Sequence, residues 1–278
     1  MGAHGTYYVP KPSHWRLVGS IGLTTTLVGA ASWLHDAWYG PYFFTLGLFV
    51  LIFMMFGWFG QVIYENQKGF YDLQVDRSFR WAMCWFIFSE VCFFGAFFGA
   101  LFFARLWIVP LLSGEIHPIT HITLWPNFKA AWPLLTNPNN LTFVGAEEGM
   151  APWGLAAINT VILLTSGITI TWAHWALKLN KRRQLEVGLA LTIALGVVFL
   201  FLQAHEYYDA YTEMNLTLDA GIYGTTFFML TGFHGLHVTI GTIMLIVILI
   251  RSLYGHFTPE RHFAFEAVAW YWHFVDVV

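Results

Sequence analysis

Long apolar runs, separated by short polar segments, are the dominant pattern in this chain of 278 residues. A helix needs about 20 mainly apolar residues to cross a bilayer, and an unpaired backbone group in lipid costs several kcal/mol. Period-two alternation, typical of a membrane barrel, does not occur. The pattern therefore predicts an all-α membrane protein with seven transmembrane helices, at residues 17–34, 41–64, 81–104, 152–177, 187–204 and 220–250, and from about Phe263 onward.

The basic residues alternate between the segments that join these helices. Only Arg105 and Lys129 fall outside the N-terminus and the second, fourth and sixth connections. Because Lys and Arg concentrate on the cytoplasmic side, the N-terminus is predicted to be cytoplasmic and the C-terminus to lie on the other side. The composition, 57% hydrophobic and 10% charged, agrees with lipid as the solvent, and the net charge of -3 gives no indication of a nucleic-acid partner.

Two parts of the layout are unusual. Residues 109–151 contain five of the ten prolines and are long for a connection, which predicts either a folded cap on the outer face or a surface that rests on a partner. The last apolar run has 16 residues from Phe263. This length is too short to span, so we expect a truncated last helix. We found no internal repeat and expect a single domain, 1–278.

One carboxylate interrupts the apolar run FIFSEVCFFGAFFG. Glu90 lies ten residues beyond Arg80, roughly 15 Å into the membrane and close to its midplane. Its neighbours along the helix are aromatic or aliphatic, so desolvation favours the protonated acid. Two interpretations stay open: a neutral acid that hydrogen-bonds another helix, or a site that handles protons or senses a ligand.

Other polar groups lie at membrane depth: His234, His237, His273 and Asp276. Depths counted from the nearest cytoplasmic base suggest two pairs, Glu90 with His273 and Asp276 with His237, if the helices adjoin. His234 and His237 are three apart on one helix beside Gly232 and Gly235, which favours close helix packing and structural hydrogen bonding over haem or metal ligation. We therefore predict no metal site.

Interfacial residues on the predicted cytoplasmic side suggest phospholipid headgroup binding, although snorkelling anchors are the alternative. His262 and Glu266 have i, i+4 spacing, and we expect them to anchor a headgroup or a loop. The candidate lipid-binding residues from position alone are Trp58, Phe59, Glu65, Arg80, Arg251, His256 and His262.

Five segments resemble subunit III of cytochrome c oxidases of the haem-copper type, in the seven-helix cytochrome c branch. They are FSEVCFFGAFFGALF, SGITITWAH, FLFLQAHEYYDA, GIYGTTFFMLTGFHGLHVTIGT and HFAFEAVAWYWHFVDVV, and the similarity runs from about Trp15 to the last residue. Glu90 matches the intramembrane glutamate of that family. Arg251, His256 and Thr258 match its headgroup-facing segment.

The resemblance implies a non-catalytic subunit that flanks the catalytic subunit I, with subunit II also in the complex. It implies no haem or copper in this chain, with haem a, haem a3, CuA and CuB in the partner subunits. Structural phospholipids are expected in a cleft between the first two helices, 1–64, and the other five, 65–278. The implied roles are support of proton uptake and protection from inactivation during turnover, and His4 and His14 are candidates for buffering protons.

Three departures from the family pattern matter. WFGQVIYE at residues 58–65 replaces a WWRDVIRE-like segment, which weakens any lipid contact that depended on the missing arginine. The segment 109–151 is longer than in mitochondrial forms, so we expect a bacterial aa3-type oxidase in the inner (plasma) membrane. The family's last helix continues past HFVDVV. The competing functional hypothesis is a proton-conducting or transporter-like subunit that uses Glu90 and the intramembrane histidines.

Overall fold

The computed structural model describes Tyr8 and residues 12–278, a part of the chain that contains no β-strand. His4 lies outside the described residues. The α-helices are α1 (Trp15–Leu34), α2 (Gly40–Gln67), α3 (Leu73–Phe103), α4 (Val109–Leu112), α5 (Pro118–Thr123), α6 (Leu155–Lys178), α7 (Arg182–Thr212), α8 (Ile222–Leu253) and α9 (Phe263–Val277), with a π-helical turn at Ala104–Ile108 between α3 and α4.

Six helical segments of the described chain are long and apolar enough to cross a membrane: Trp15–Leu34, Gly40–Gln67, Leu73–Leu112, Leu155–Lys178, Arg182–Thr212 and Ile222–Leu253. Each coincides with a predicted apolar run, so the all-α membrane class is confirmed. The seventh predicted segment corresponds to α9, which has 15 residues. A seventh crossing and the orientation of the termini stay predictions.

Several helices are longer than the apolar runs that predicted them. Helix α3 begins at Leu73, eight residues before the predicted start at Trp81, and α7 extends from Arg182 to Thr212. The added residues of α3 include Arg80 and Asp76, which form an ion pair at i, i+4 spacing. Nε of Arg80 and Oδ2 of Asp76 lie 2.7 Å apart. Such pairs stabilise helix outside the hydrocarbon, where hydropathy gives no signal.

The chain divides into two compact units, Met1–Trp81 and Ala82–Val278, with the division inside α3. The predicted division into a two-helix part, 1–64, and a five-helix part, 65–278, stays a prediction. In the first unit, α1 and α2 pack closely through glycines. A methyl group on Gly29 would collide with the backbone of Phe44, and one on Gly47 with the backbone of Thr26. Small residues allow this approach where lipid offers no hydrophobic drive.

The second unit has a core formed by α6, α7, α8 and α9, with Trp272 at its centre. Trp272 is fully buried, and Gly196 of α7 and Gly241 of α8 leave the space for its ring. Its indole Nε1 donates a hydrogen bond to Ser166 Oγ at 2.9 Å, and Ser166 in turn donates to the Leu163 carbonyl. The buried indole is therefore fully satisfied, and it fixes α9 against α6.

The segment between α5 and α6 folds against the turn that joins α7 to α8. The buried Asn137 donates hydrogen bonds to the carbonyls of Phe143 and Ala220, and the Tyr223 hydroxyl accepts one from the Met150 amide at 3.0 Å. Leu216, also buried, packs in the same region. The segment is therefore folded, as the first predicted alternative requires, and its contact with a partner stays a prediction. The side of the membrane on which it lies stays a prediction.

Candidate functional site

One face of α3 carries Glu90 among aromatic side chains that contact α8 and α9. Phe86 stacks on Tyr271 of α9, with ring centroids 6.1 Å apart, and Phe93 packs edge-on against Phe233 of α8 at 5.0 Å. Residues 86, 90, 93 and 97 recur at helical spacing, which places them on one side of α3. The acid is therefore held on a packed face of the second unit.

Glu90 is paired with a histidine of α8. Its Oε2 lies 2.9 Å from Nε2 of His237, and both side chains are largely buried. The His237 ring is enclosed by aromatic rings, with Phe94 at 5.1 Å and Tyr271 at 6.3 Å between centroids. The partner that Glu90 lacks along its own helix is thus supplied by another helix.

The second ring nitrogen of His237 restricts how this pair can be protonated. Nδ1 lies 2.6 Å from the Phe233 carbonyl, and a carbonyl only accepts, so Nδ1 carries a proton. A neutral imidazole then accepts at Nε2 from a protonated Glu90, whereas an imidazolium donates at Nε2 to a carboxylate. Both arrangements have no net charge, which lowers the cost of placing an acid in the hydrocarbon.

The pairs suggested from membrane depth are wrong. Glu90 contacts His237 rather than His273, and Asp276 contacts His273 on its own helix, with Oδ2 3.3 Å from Nδ1. Nε2 of His273 lies 3.2 Å from the Thr171 hydroxyl of α6. Depth fixes one coordinate only, and the direction in which each side chain points decides which groups meet.

His234 faces a different environment from His237. It lines a cavity of about 450 Å³ in the second unit, whose lining is largely apolar but also includes Asn159, Gln203, Glu206 and Asp276. Glu206 is buried and was missed by the sequence reasoning, although it lies in the segment FLFLQAHEYYDA. The signal was an acid next to an apolar run, which depth counting from basic residues did not single out.

The lipid-binding candidates of the first unit fall into two kinds. Trp58 and Phe59 are exposed, with 46% and 55% of their residue surface accessible, respectively. Glu65 instead accepts hydrogen bonds from Tyr71 at 2.9 Å and from Gln61 at 2.8 Å. Burial and this hydrogen bond raise the pKa of the Tyr71 hydroxyl, so it stays a donor at neutral pH. Glu65 therefore takes part in a network within the protein.

Arg80 and the candidates of the second unit are also engaged with the protein. Arg80 pairs with Asp76, and Arg251 is buried with its guanidinium 4.6 Å from the centroid of the Phe257 ring. Thr258 is exposed, and its hydroxyl accepts from the backbone of Arg261. Their role as headgroup ligands stays a prediction.

The two remaining interfacial histidines differ. Burial and the nearby Arg251 lower the pKa of His256, which favours the neutral ring. His262, the residue before α9, lies beside Glu266 and beside His174 of α6. His174 was not a candidate from sequence, although it lies in the segment SGITITWAH; an isolated histidine near a helix end gives no signal until its neighbours in space are known. At the other end of the chain, His14 lies immediately before α1, and its ring contacts the ring of Trp15, the first residue of that helix.

Comparison with known proteins identifies the family of this chain. A model of the family described as cytochrome c oxidase subunit III matches residues 4–278. The chain belongs to the cytochrome c oxidase subunit III family. Proteins named cytochrome c oxidase subunit 3 are 42% identical over 273 residues in Formosania lacustris and 41% in Cyprinus carpio, covering 98% of this chain and 92% of each relative. The Heterololigo bleekeri protein is 40% identical over 276 residues, which are 98% of this chain and 93% of that relative.

Membership of the subunit III family confirms the resemblance found in the sequence. The chain is a multi-pass membrane subunit within an oxidoreductase complex, and other oxidase subunits are its partners. The Glu90–His237 pair lies in two of the segments that carried the resemblance, FSEVCFFGAFFGALF and GIYGTTFFMLTGFHGLHVTIGT. In this chain, two of these segments are therefore joined by a specific contact between Glu90 of α3 and His237 of α8.

Proposed function

We propose that this chain is a non-catalytic subunit of a proton-translocating cytochrome c oxidase, one that stabilises the catalytic subunit and supports its proton uptake. In this proposal the subunit holds structural phospholipid and contacts subunits I and II. Haem a, haem a3, CuA and CuB belong to those partners. The chain contributes no catalytic residue, and its own polar groups in the membrane serve to hold helices together.

The observation that carries the proposal is the chain of hydrogen bonds that begins at Glu90 and ends at a backbone carbonyl. They run from the carboxyl group to Nε2 of His237, and from Nδ1 of that ring to the Phe233 carbonyl. A backbone carbonyl accepts a hydrogen bond but carries no proton to pass on. A contact that ends in this way favours a link between α3 and α8 over a proton-conducting path.

Two finer parts of the proposal follow from the sequence and from exposed surface. Trp58 and Phe59 offer exposed aromatic surface of the kind that lies at the level of lipid headgroups, which supports phospholipid binding. We also propose that the protein lies in the inner membrane of a bacterium, in an aa3-type oxidase, because residues 109–151 form a long connection.

The test is Glu90→Gln in the assembled oxidase. The glutamine amide keeps the size of the side chain and donates to Nε2 of His237, but it makes a weaker hydrogen bond than a carboxylic acid or an ion pair, so the link between α3 and α8 is weakened. We expect electron transfer and proton pumping in early turnover to match wild type, while the lifetime of the enzyme under turnover falls. The measurements are the proton-to-electron ratio in vesicles and the decay of oxygen consumption during sustained turnover.

Glu148→Gln is the matched control, because Glu148 is exposed in the segment before α6. It removes the same carboxylate and should leave the lifetime unchanged. Loss of proton pumping in Glu90→Gln, with electron transfer intact, would instead establish the proton-conducting alternative. An unchanged lifetime in Glu90→Gln would contradict the supporting role of this acid.

A further inference from the structure

Three potential metal ligands meet where the start of α9 packs against the end of α6. They are His174 of α6, His262 immediately before α9, and Glu266 in the first turn of α9, and their ligand atoms all lie within 4.8 Å of one another. The side chains are 17%, 9% and 13% exposed, respectively. Most of the group is therefore shielded from solvent, within the second unit alone.

In each of the two histidines, the Nε2 atom is the nitrogen available to a ligand. Nδ1 of His262 lies 3.1 Å from the Thr258 carbonyl, so this nitrogen carries the proton and the neutral ring has its lone pair at Nε2. The Nε2 atoms of His262 and His174 are both buried, and neither has a hydrogen-bond partner among the described residues. Buried polar atoms are nearly always paired, so two such atoms beside a carboxylate indicate a missing partner.

The distances fit a metal ion better than they fit hydrogen bonds. Glu266 Oε1 lies 3.4 Å from Nε2 of His262 and 3.6 Å from Nε2 of His174. Zinc binds imidazole nitrogen and carboxylate oxygen at about 2.0–2.2 Å, which places neighbouring ligands of a tetrahedral site about 3.3 Å apart. The carboxylate oxygen is thus already close to the required separation from both nitrogens.

We propose that His174, His262 and Glu266 bind a divalent transition-metal ion, with Zn²⁺ as the best fit, and that this ion fastens the start of α9 to α6. Two imidazoles and one carboxylate form a ligand set suited to zinc and poorly suited to Mg²⁺ or Ca²⁺, which prefer oxygen. The hydrogen bond from His262 to the Thr258 carbonyl is the kind of outer contact that orients a metal-binding ring. A water molecule completes the fourth position.

The rival explanation is a protonated cluster without metal. In that case one histidine is an imidazolium beside the Glu266 carboxylate, and the group is an ion pair at the end of a helix. Zinc would then bind no better than at any other histidine next to an acid. The two explanations make different predictions for metal content, independently of enzyme activity.

The experiment uses the assembled oxidase, washed with a chelator and then equilibrated with Zn²⁺ against a fluorescent zinc indicator. Metal content per complex is measured by mass spectrometry for wild type and for His174→Gln, His262→Gln and Glu266→Gln. Metal sites in other subunits cancel in the difference. We expect wild type to hold one zinc ion more than each variant, or to bind that ion at least about tenfold more tightly, because loss of an orienting contact alone costs about 10–100-fold. Mg²⁺ in excess should not displace it.

His205→Gln is the matched control. His205 is exposed and lies near Asp209 at the same i, i+4 spacing as His262 and Glu266, but it belongs to no group of three potential ligands among the described residues. Zinc binding should be unchanged in this variant. Equal zinc content in wild type and all three site variants, or an equal loss in His205→Gln, overturns the proposal. The ratio of this subunit to haem in the purified complex verifies assembly, and if one site variant does not assemble, the other two decide the result.

Discussion

The second unit holds two groups in which histidine and glutamate join a pair of helices, and they differ in how fully their hydrogen bonds are satisfied. In the pair of α3 and α8, Glu90 meets one imidazole, and both nitrogens of His237 have partners. In the group of α6 and α9, Glu266 meets two imidazoles whose Nε2 atoms find no hydrogen-bond partner in the described part of the chain. One acid with one base is complete without an ion, whereas one acid with two bases leaves room for a cation.

The largest expected effect comes from breaking the element that serves both groups. Helix α9 contributes Glu266 to one and Tyr271, which packs on His237, to the other, and Trp272 anchors it in the core. Trp272→Ala removes a fully buried ring and its hydrogen bond to Ser166. We expect a loss of about 3–5 kcal/mol in stability, with both groups disrupted. Thermal melting of the purified complex and the zinc titration measure the two consequences.

Trp270→Ala is the control for this change. Trp270 is the same residue type on the same helix, but it is only partly buried and packs on Phe263. Its substitution should lower the melting temperature much less. Equal destabilisation by the two variants would mean that the anchor is not the buried indole of Trp272.

The sequence predicted the helices well and the contacts between them poorly, for a physical reason. Apolar runs are a local property, so six of them coincided with long helices. The partner of Glu90 depends on how α3 and α8 are rotated, and depth alone could not distinguish His237 from His273. The group at His174 was missed because its members are separated by about 90 residues of chain, and only packing of α9 on α6 brings them together.

A medium-sized effect is expected from removing His237, the partner of Glu90. His237→Leu leaves the Glu90 carboxyl without its partner among aromatic rings, which should cost about 1–3 kcal/mol of stability. The double variant Glu90→Leu with His237→Leu removes both polar groups and should recover much of that loss. A double-mutant cycle by thermal melting should give a coupling energy of about 1 kcal/mol, in the range known for hydrogen bonds between membrane helices.

The same kind of double-mutant cycle tests the group of α6 and α9, His174, His262 and Glu266. In chelator-washed complex, His262→Gln should couple to Glu266→Gln more weakly than His237→Leu couples to Glu90→Leu, because the distances of 3.4 and 3.6 Å are long for hydrogen bonds. After Zn²⁺ is added, the coupling should increase. A strong coupling without zinc would indicate that the two groups are satisfied in the same way.

The smallest effect is expected from Tyr271→Phe, which tests whether the pair depends on its surroundings. The Tyr271 hydroxyl donates to the backbone carbonyl of His237 at 3.3 Å, while its ring packs on the imidazole and on Phe86. That carbonyl also accepts the regular bond of α8, so it keeps a partner when the hydroxyl is lost. We expect a loss of no more than about 1 kcal/mol, with zinc affinity unchanged because Glu266 lies more than one turn away on α9. If thermal melting showed Tyr271→Phe to be as damaging as His237→Leu, the hydroxyl would be the stronger link between α8 and α9, and the acid and imidazole would be secondary to it.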